Sequence, residues 1–237
     1  MDQKNKLLKL LSLAYREETQ FAASMSDAEK NETGAMECWS AKDTLAHNAF
    51  WKQHRAEQIA DPGNPLLTGF RDFDPINAQV YAENHRLPWG DVLENARVAF
   101  EYLSAQVQAL NPLDLNNPDL YPWLNGRPLW RVIANSGYIH PLNHIASYHY
   151  RRGRVQQASD MQETSAARLQ EFDEDPEWRG IIVYNLACFY ATTARPQQAV
   201  RRLKNALRLN PGLAEWAQHD HDLAILNGTA QYEELFR

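Results

Sequence analysis

The apolar residues of this chain recur every three or four positions over long stretches, and that period constrains it to α-helix. Leu7, Leu8, Leu11, Ala14 and Tyr15 predict a first helix over about 3–25. A second follows from Ser40, where Ser40 and Asp43 form an S-x-x-D start signal, to about residue 60, where Asp61, Pro62, Gly63, Asn64 and Pro65 stop it. A short helical piece falls at about 77–84 in the connection that comes next. Val92, Leu93, Ala96, Phe100, Leu103 and Val107 predict a helix over 89–110, and a fourth long helix runs from Pro128, suited to a first helical turn, to about residue 152. Between these two lies an irregular stretch, 111–127, whose Tyr121 and Trp123 are expected to pack over one end of the helices. The expected fold class is all-α.

The fourth helix contains two residues that helices disfavour. Gly137 costs about 1 kcal/mol and Pro141 about 3 kcal/mol in a helix interior. Four residues separate them, so the missing side chain of Gly137 lies near the carbonyl that the Pro141 ring would crowd, and a bend beside His140 is expected. His140 and His144 are themselves four residues apart and project from one helix face. A third imidazole from another helix, His47, would complete one side of a metal site and leave positions open for water or substrate.

Composition narrows the function classes. With 237 residues and a formal charge of −6, the chain has room for one large domain, or one domain plus a small appendage, and does not favour nonspecific nucleic-acid binding. Cys38 and Cys188 have no C-x-x-C spacing and suggest neither a disulfide framework nor a zinc ribbon. Lys4, Lys6 and Lys9 interrupt the N-terminal leucines, which argues against a signal peptide. No apolar run approaches the roughly 20 residues that span a bilayer, so the expectation is a cytoplasmic protein without a membrane partner. Walker, dinucleotide-binding, G-x-S-x-G and H-E-x-x-H motifs are missing from the sequence.

Trp39, Ser40, Lys42, Asp43, Leu45, Ala46, His47 and Trp51 together resemble the second-helix signature of the DinB/YfiT-like superfamily, most closely its ClbS/DfsB branch. Residues 77–84 are similar to the segment between the second and third helices there. The resemblance covers about 3–152 and implies an up-and-down four-helix bundle over 1–153. It implies that His47, His140 and His144 bind a divalent metal (zinc, nickel, manganese or iron). It also implies hydrolysis of a small electrophilic molecule or transfer to it from a low-molecular-weight thiol. Pro141 departs from the family's pattern, and a metal-free route through water held by Tyr81 and Asn77 stands beside the metal one. His54 is read as supporting or structural, and His85 and His149 as structural.

Beyond residue 153 the character changes. A linking helix is expected over 154–175 and a boundary at 173–176. Leu186, Ala187, Tyr190, Ala199, Leu203, Ala206 and Pro211 then fall at the spacings of a tetratricopeptide repeat. The resemblance implies a TPR-like helical unit over 176–237, with one full repeat and capping helices. One repeat makes a poor groove, so packing or homo-oligomer formation is favoured over a protein partner. The basic run Arg201, Arg202, Lys204 and Arg208 reads as a solvated face. A non-catalytic interaction protein that recruits its partner through 176–237 is the competing reading.

Overall fold

The computed structural model describes residues 2–64 and 73–237; Pro65, the last residue of the expected helix stop, lies outside them. The described chain is all-α and has no strand, and it divides into two compact units, Met1–Arg152 and Gly153–Arg237. Among the described residues no helix is long and apolar enough to cross a membrane.

In the first unit, α1 spans Gln3–Ala23 and begins where the Asp2 carboxylate accepts the Asn5 N–H at 2.8 Å. Its Leu7, Leu10, Leu11, Ala14 and Phe21 are buried, the stripe expected of an amphipathic helix. A short α2, Asp27–Asn31, starts on a capping box made by Ser26 and Glu29. α3, Ala41–Ala60, starts on the Ser40–Asp43 box; every residue from 41 to 49 is buried, so its first half is enclosed on all sides. α4 spans Asp74–Asn84, three residues longer at its start than the periodicity indicates, because Asp74 and Pro75 supply a first turn. α5 follows at Trp89–Ala109, with Phe100 stacked on Tyr15 of α1 at 4.3 Å.

The last long helix differs from its expectation in kind. α6, Leu129–Ala134, passes into a π-turn at Asn135–Ile139 and continues as α7, His140–Arg151. Pro141 has no N–H to donate and its ring would crowd the carbonyl four residues back; a wider turn just before it removes the clash without breaking the helix. Gly137 lies in that turn, where a Cβ would meet Leu11 Cδ2 at 2.2 Å, so a larger residue would force the buried Leu11 side chain of α1 to move. α1 packs on α5, α7 and the π-turn, and α3 packs on α4, α5 and α7.

In the second unit, α8 spans Val155–Phe172, α9 Pro176–Thr192 and α10 Pro196–Leu209. α9 packs on both of its neighbours. Ala187, Ala199, Leu203 and Ala206 are fully buried, and at Gly180 a Cβ would lie 2.5 Å from the Asn210 Cβ. Close approach of small residues joins α9 to α10. The Trp178 indole donates to the Leu169 carbonyl at 2.8 Å and ties α9 to α8. α11, Ala214–His219, and α12, Ala230–Glu233, come last, with the Tyr232 hydroxyl donating to the Ala217 carbonyl at 2.6 Å.

Candidate metal centre

Local sequence fixes where each histidine sits. The Asp43 carboxylate accepts from the Ser40 N–H at 2.9 Å and from its hydroxyl at 2.6 Å, which sets the start of α3 and places His47 in its second turn. His140 opens α7 directly after the π-turn, and His144 follows one turn later. The structure brings all three together: their nitrogen atoms lie within 4.8 Å of one another. Ring centroids are 4.9 Å apart for His47 and His140, 4.5 Å for His47 and His144, and 4.4 Å for His140 and His144.

His47 is buried and the other two are half-buried. Burial pulls the His47 pKa down to about 2, helped by the charges His144 and His140 would carry. Burial, then His144 and Lys52, lower His140 to about 3; burial and Arg151 lower His144 to about 4. At neutral pH all three rings are therefore uncharged, which is the form that ligates metals. His47 Nε2 and His140 Nε2 are 2.9 Å apart, a distance at which two neutral rings share one N–H. Tetrahedral zinc with 2.0–2.1 Å bonds would hold two such nitrogens about 3.4 Å apart. A tautomer shift that moves the shared proton to the ring's other nitrogen, and an opening of about 0.5 Å, would thus admit an ion.

Two tryptophans enclose the cluster. Trp39 lies 4.3 Å from His47 and 5.2 Å from His144, ring to ring, and Trp51 lies 6.4 Å from His140. Beside His47 is a cavity of about 10 Å³, room for a single water, lined by Trp39, Asp43, Asn77 and Tyr81 among others. Trp39 Nε1, Asp43 Oδ1 and His47 Nδ1 are buried there without a protein partner. Two of these atoms suit donors and one an acceptor, which matches the hydrogen-bonding needs of one water and of the tautomer that leaves His47 Nε2 free. Asp43, read from sequence as a helix-start residue, has one oxygen in that role and the other in this cavity.

Asn77 and Tyr81 both reach the cavity. Asn77 Oδ1 accepts from the Trp51 indole at 3.2 Å, and the Tyr81 hydroxyl donates to the Gly34 carbonyl at 2.6 Å. His54 is not one of the converging rings but packs edge-on against Trp51 at 5.4 Å and stacks with Phe50 at 6.0 Å; His85 stacks on Tyr81, and His149 packs against Phe21.

Sequence reasoning missed the layer behind the histidines. Lys52 and Glu18 form an ion pair with both side chains 2% exposed. Asn48, next to His47, donates to Glu18 at 3.1 Å and to the Pro141 carbonyl at 3.3 Å, fastening α3 to the start of α7. Isolated Glu, Lys and Asn in a helical pattern read as exposed residues and gave no signal. Trp51, one turn after His47, did carry one through its spacing.

A second group with donors in reach of one another, Cys188, Asp220 and Asp222, lies in the second unit. There Asp220 accepts from the Tyr184 hydroxyl at 2.6 Å and from the Asp222 N–H at 2.9 Å. Burial and Asp220 push the Cys188 thiol pKa up, away from the thiolate a metal needs.

No family profile, curated protein or solved structure matches this chain.

Proposed function

We propose that this chain is a DinB-like protein whose first unit is an up-and-down four-helix bundle of α1, α3, α5 and the joined α6–α7, and whose second unit is TPR-like. In this reading His47, His140 and His144 hold a divalent metal, and the site acts on a small electrophilic molecule by hydrolysis or by thiol transfer. One observation carries it: three neutral imidazoles from segments 93 residues apart converge with their nitrogens within 4.8 Å. Imidazole donors suit zinc, nickel or iron better than manganese, which favours carboxylate and water.

A bound ion would supply Lewis acidity and lower the pKa of a water or thiol beside it. The protein's own groups do the rest. Trp39 and Trp51 exclude bulk water and present apolar faces to an organic substrate. A water in the small cavity, accepting from His47 Nδ1–H and donating to Asp43 Oδ1, would fix the tautomer of the ligand ring. Asn77, held by Trp51, and Tyr81, whose oxygen keeps lone pairs while its proton goes to Gly34, orient a water or substrate at the cavity. The competing interaction reading draws on a groove of about 770 Å³ in the second unit, lined by Arg201, Lys204, Arg208 and Leu235 among others.

Metal analysis of the full chain tests the proposal. Reconstituted wild type is expected to retain about one ion per chain through gel filtration, set by the single triad, and to consume members of a panel of epoxides, cyclopropanes and activated halides with or without thiol. Equal metal retention by wild type and His47→Ala would overturn it.

A further inference from the structure

We propose that Arg55 forms an anion subsite for the carboxylate of a small organic molecule whose other end reaches the three histidines; the inference rests on the reading of that cluster as a reaction centre. His47, Trp51 and Arg55 follow one another at four-residue intervals along α3, and Ser136, His140 and His144 do so along the opposing π-turn and α7. Contacts join these two rows level by level. His47 meets His140 at 2.9 Å, the Trp51 ring lies 6.4 Å from that of His140, and Arg55 Nε donates to the Ser136 hydroxyl at 3.0 Å. Arg55 is therefore on the same seam as the histidines, about 12 Å along the helix axis from His47, with an indole between them.

The surroundings of Arg55 are unusual for a partly buried cation. Among the described residues its guanidinium meets neutral groups: Ser136, the Gln58 side-chain oxygen, and the face of Trp123 at 5.2 Å. No carboxylate of the described residues pairs with it. The charge that acts on it is another cation, Arg127, and burial together with Arg127 lowers its pKa to about 10. Trp123 Nε1 is a further buried donor without a partner. A buried arginine is normally paired with an acid. Here Arg55 and an orphan indole N–H on the same tryptophan lie where the described residues bring no acid, with the exposed Arg127 close enough to act on the charge, and a guanidinium fork is the geometry that recognises a carboxylate. An apolar linker lying on Trp51 would connect that carboxylate to the reacting end.

Both a substrate and a low-molecular-weight thiol can bring a carboxylate, and the test separates them. Full-length, metal-free, ¹⁵N-labelled protein is titrated at constant ionic strength with glutarate, with glutathione and with sodium chloride, following the Arg55 Nε–Hε resonance. The expected result is a saturable shift with at least one carboxylate and none with chloride. Arg55→Met should weaken that binding, followed by calorimetry, by about tenfold or more, the scale of one charge-assisted hydrogen-bonded pair. Saturation by glutathione alone assigns the subsite to the thiol, and saturation by glutarate assigns it to the substrate. No saturable shift with either would overturn the subsite. That reading stands even where Arg55→Met fails to fold, because it is taken on the wild-type chain. Zinc retention, measured separately, reports on the histidine reading alone, so the two can fail independently.

Discussion

The two units treat buried polarity in opposite ways. In the second, three polar aromatic side chains each meet a partner: Trp178 donates to Leu169, Tyr184 to Asp220 and Tyr232 to Ala217. Among the described residues, the buried polar atoms left without a partner belong to the first unit, and Trp39, Asp43 and His47 of that group share one cavity. An unsatisfied buried group costs about 1–3 kcal/mol, so polar atoms gathered in this way mark the place where the fold tolerates instability for a ligand or water. The cluster of Cys188, Asp220 and Asp222 resembles the histidine cluster in donor spacing but not in this respect: the Asp220 carboxylate accepts from Tyr184, Cys188 and the Asp222 N–H, and the thiol is held protonated.

The largest effect should come from the ion pair behind the histidines. Lys52→Met leaves Glu18 as a buried charge without its cation, and breaking such a pair costs about 3–5 kcal/mol. Urea unfolding of the first unit should shift by that amount. A shift below about 1 kcal/mol would mean that water reaches the pair and that this region is not the closed layer described.

The second comparison sets function against stability. His47→Ala should lower zinc affinity by about 100-fold or more, since a lost ligand exceeds the 10–100-fold cost of a lost supporting contact. In the metal-free state the same change empties a buried ring position and removes the His140 contact, while also removing an unpartnered Nδ1, so a loss of about 2–3 kcal/mol is expected beside the fall in affinity. A large loss of metal-free stability with unchanged zinc affinity would make His47 a packing residue.

Acid should act on the first unit through the same rings. The folded pKa values of about 2, 3 and 4 lie below the ordinary 6.5, so the unfolded chain binds more protons in the window between. Stability present near pH 7 is then lost as pH falls below about 6.5, by up to about 1.4 kcal/mol per pH unit for each histidine that titrates. Denaturant unfolding from pH 7.5 to 4.5 should show this slope, and His47→Ala should flatten it. An unchanged slope in the variant would place the acid sensitivity elsewhere.

These tests fall on residues that differ in how legible they were. The four-residue spacing of His140 and His144 and the Trp39–Trp51 motif pointed to the cluster, because ligand geometry is written locally along a helix. Gly137 and Pro141 announced a distortion, but whether a helix bends or widens depends on what packs against it, and Leu11 of α1 is remote in sequence. The Glu18–Lys52 pair and the position of Arg55 opposite Ser136 depend on pairing between helices, which no local period encodes. Exposed and buried lysines look alike until the partner helix is placed.

The smallest expected effect is the control on the opening comparison. Tyr184→Phe removes the hydroxyl that donates to Asp220 at 2.6 Å while keeping the buried ring. Asp220 retains the Asp222 N–H, so its carboxylate is not stranded, and the cost should be about 1.5 kcal/mol, the low end for a hydrogen bond to a charged group. Burial and the carboxylate both hold the Tyr184 phenol protonated, so this cost should not vary between pH 5 and 8. Zinc content and the acid slope of the first unit should not change. A fall in zinc content with Tyr184→Phe would show that the cluster around Asp220 takes part in holding metal, and the two units would then not differ in this respect.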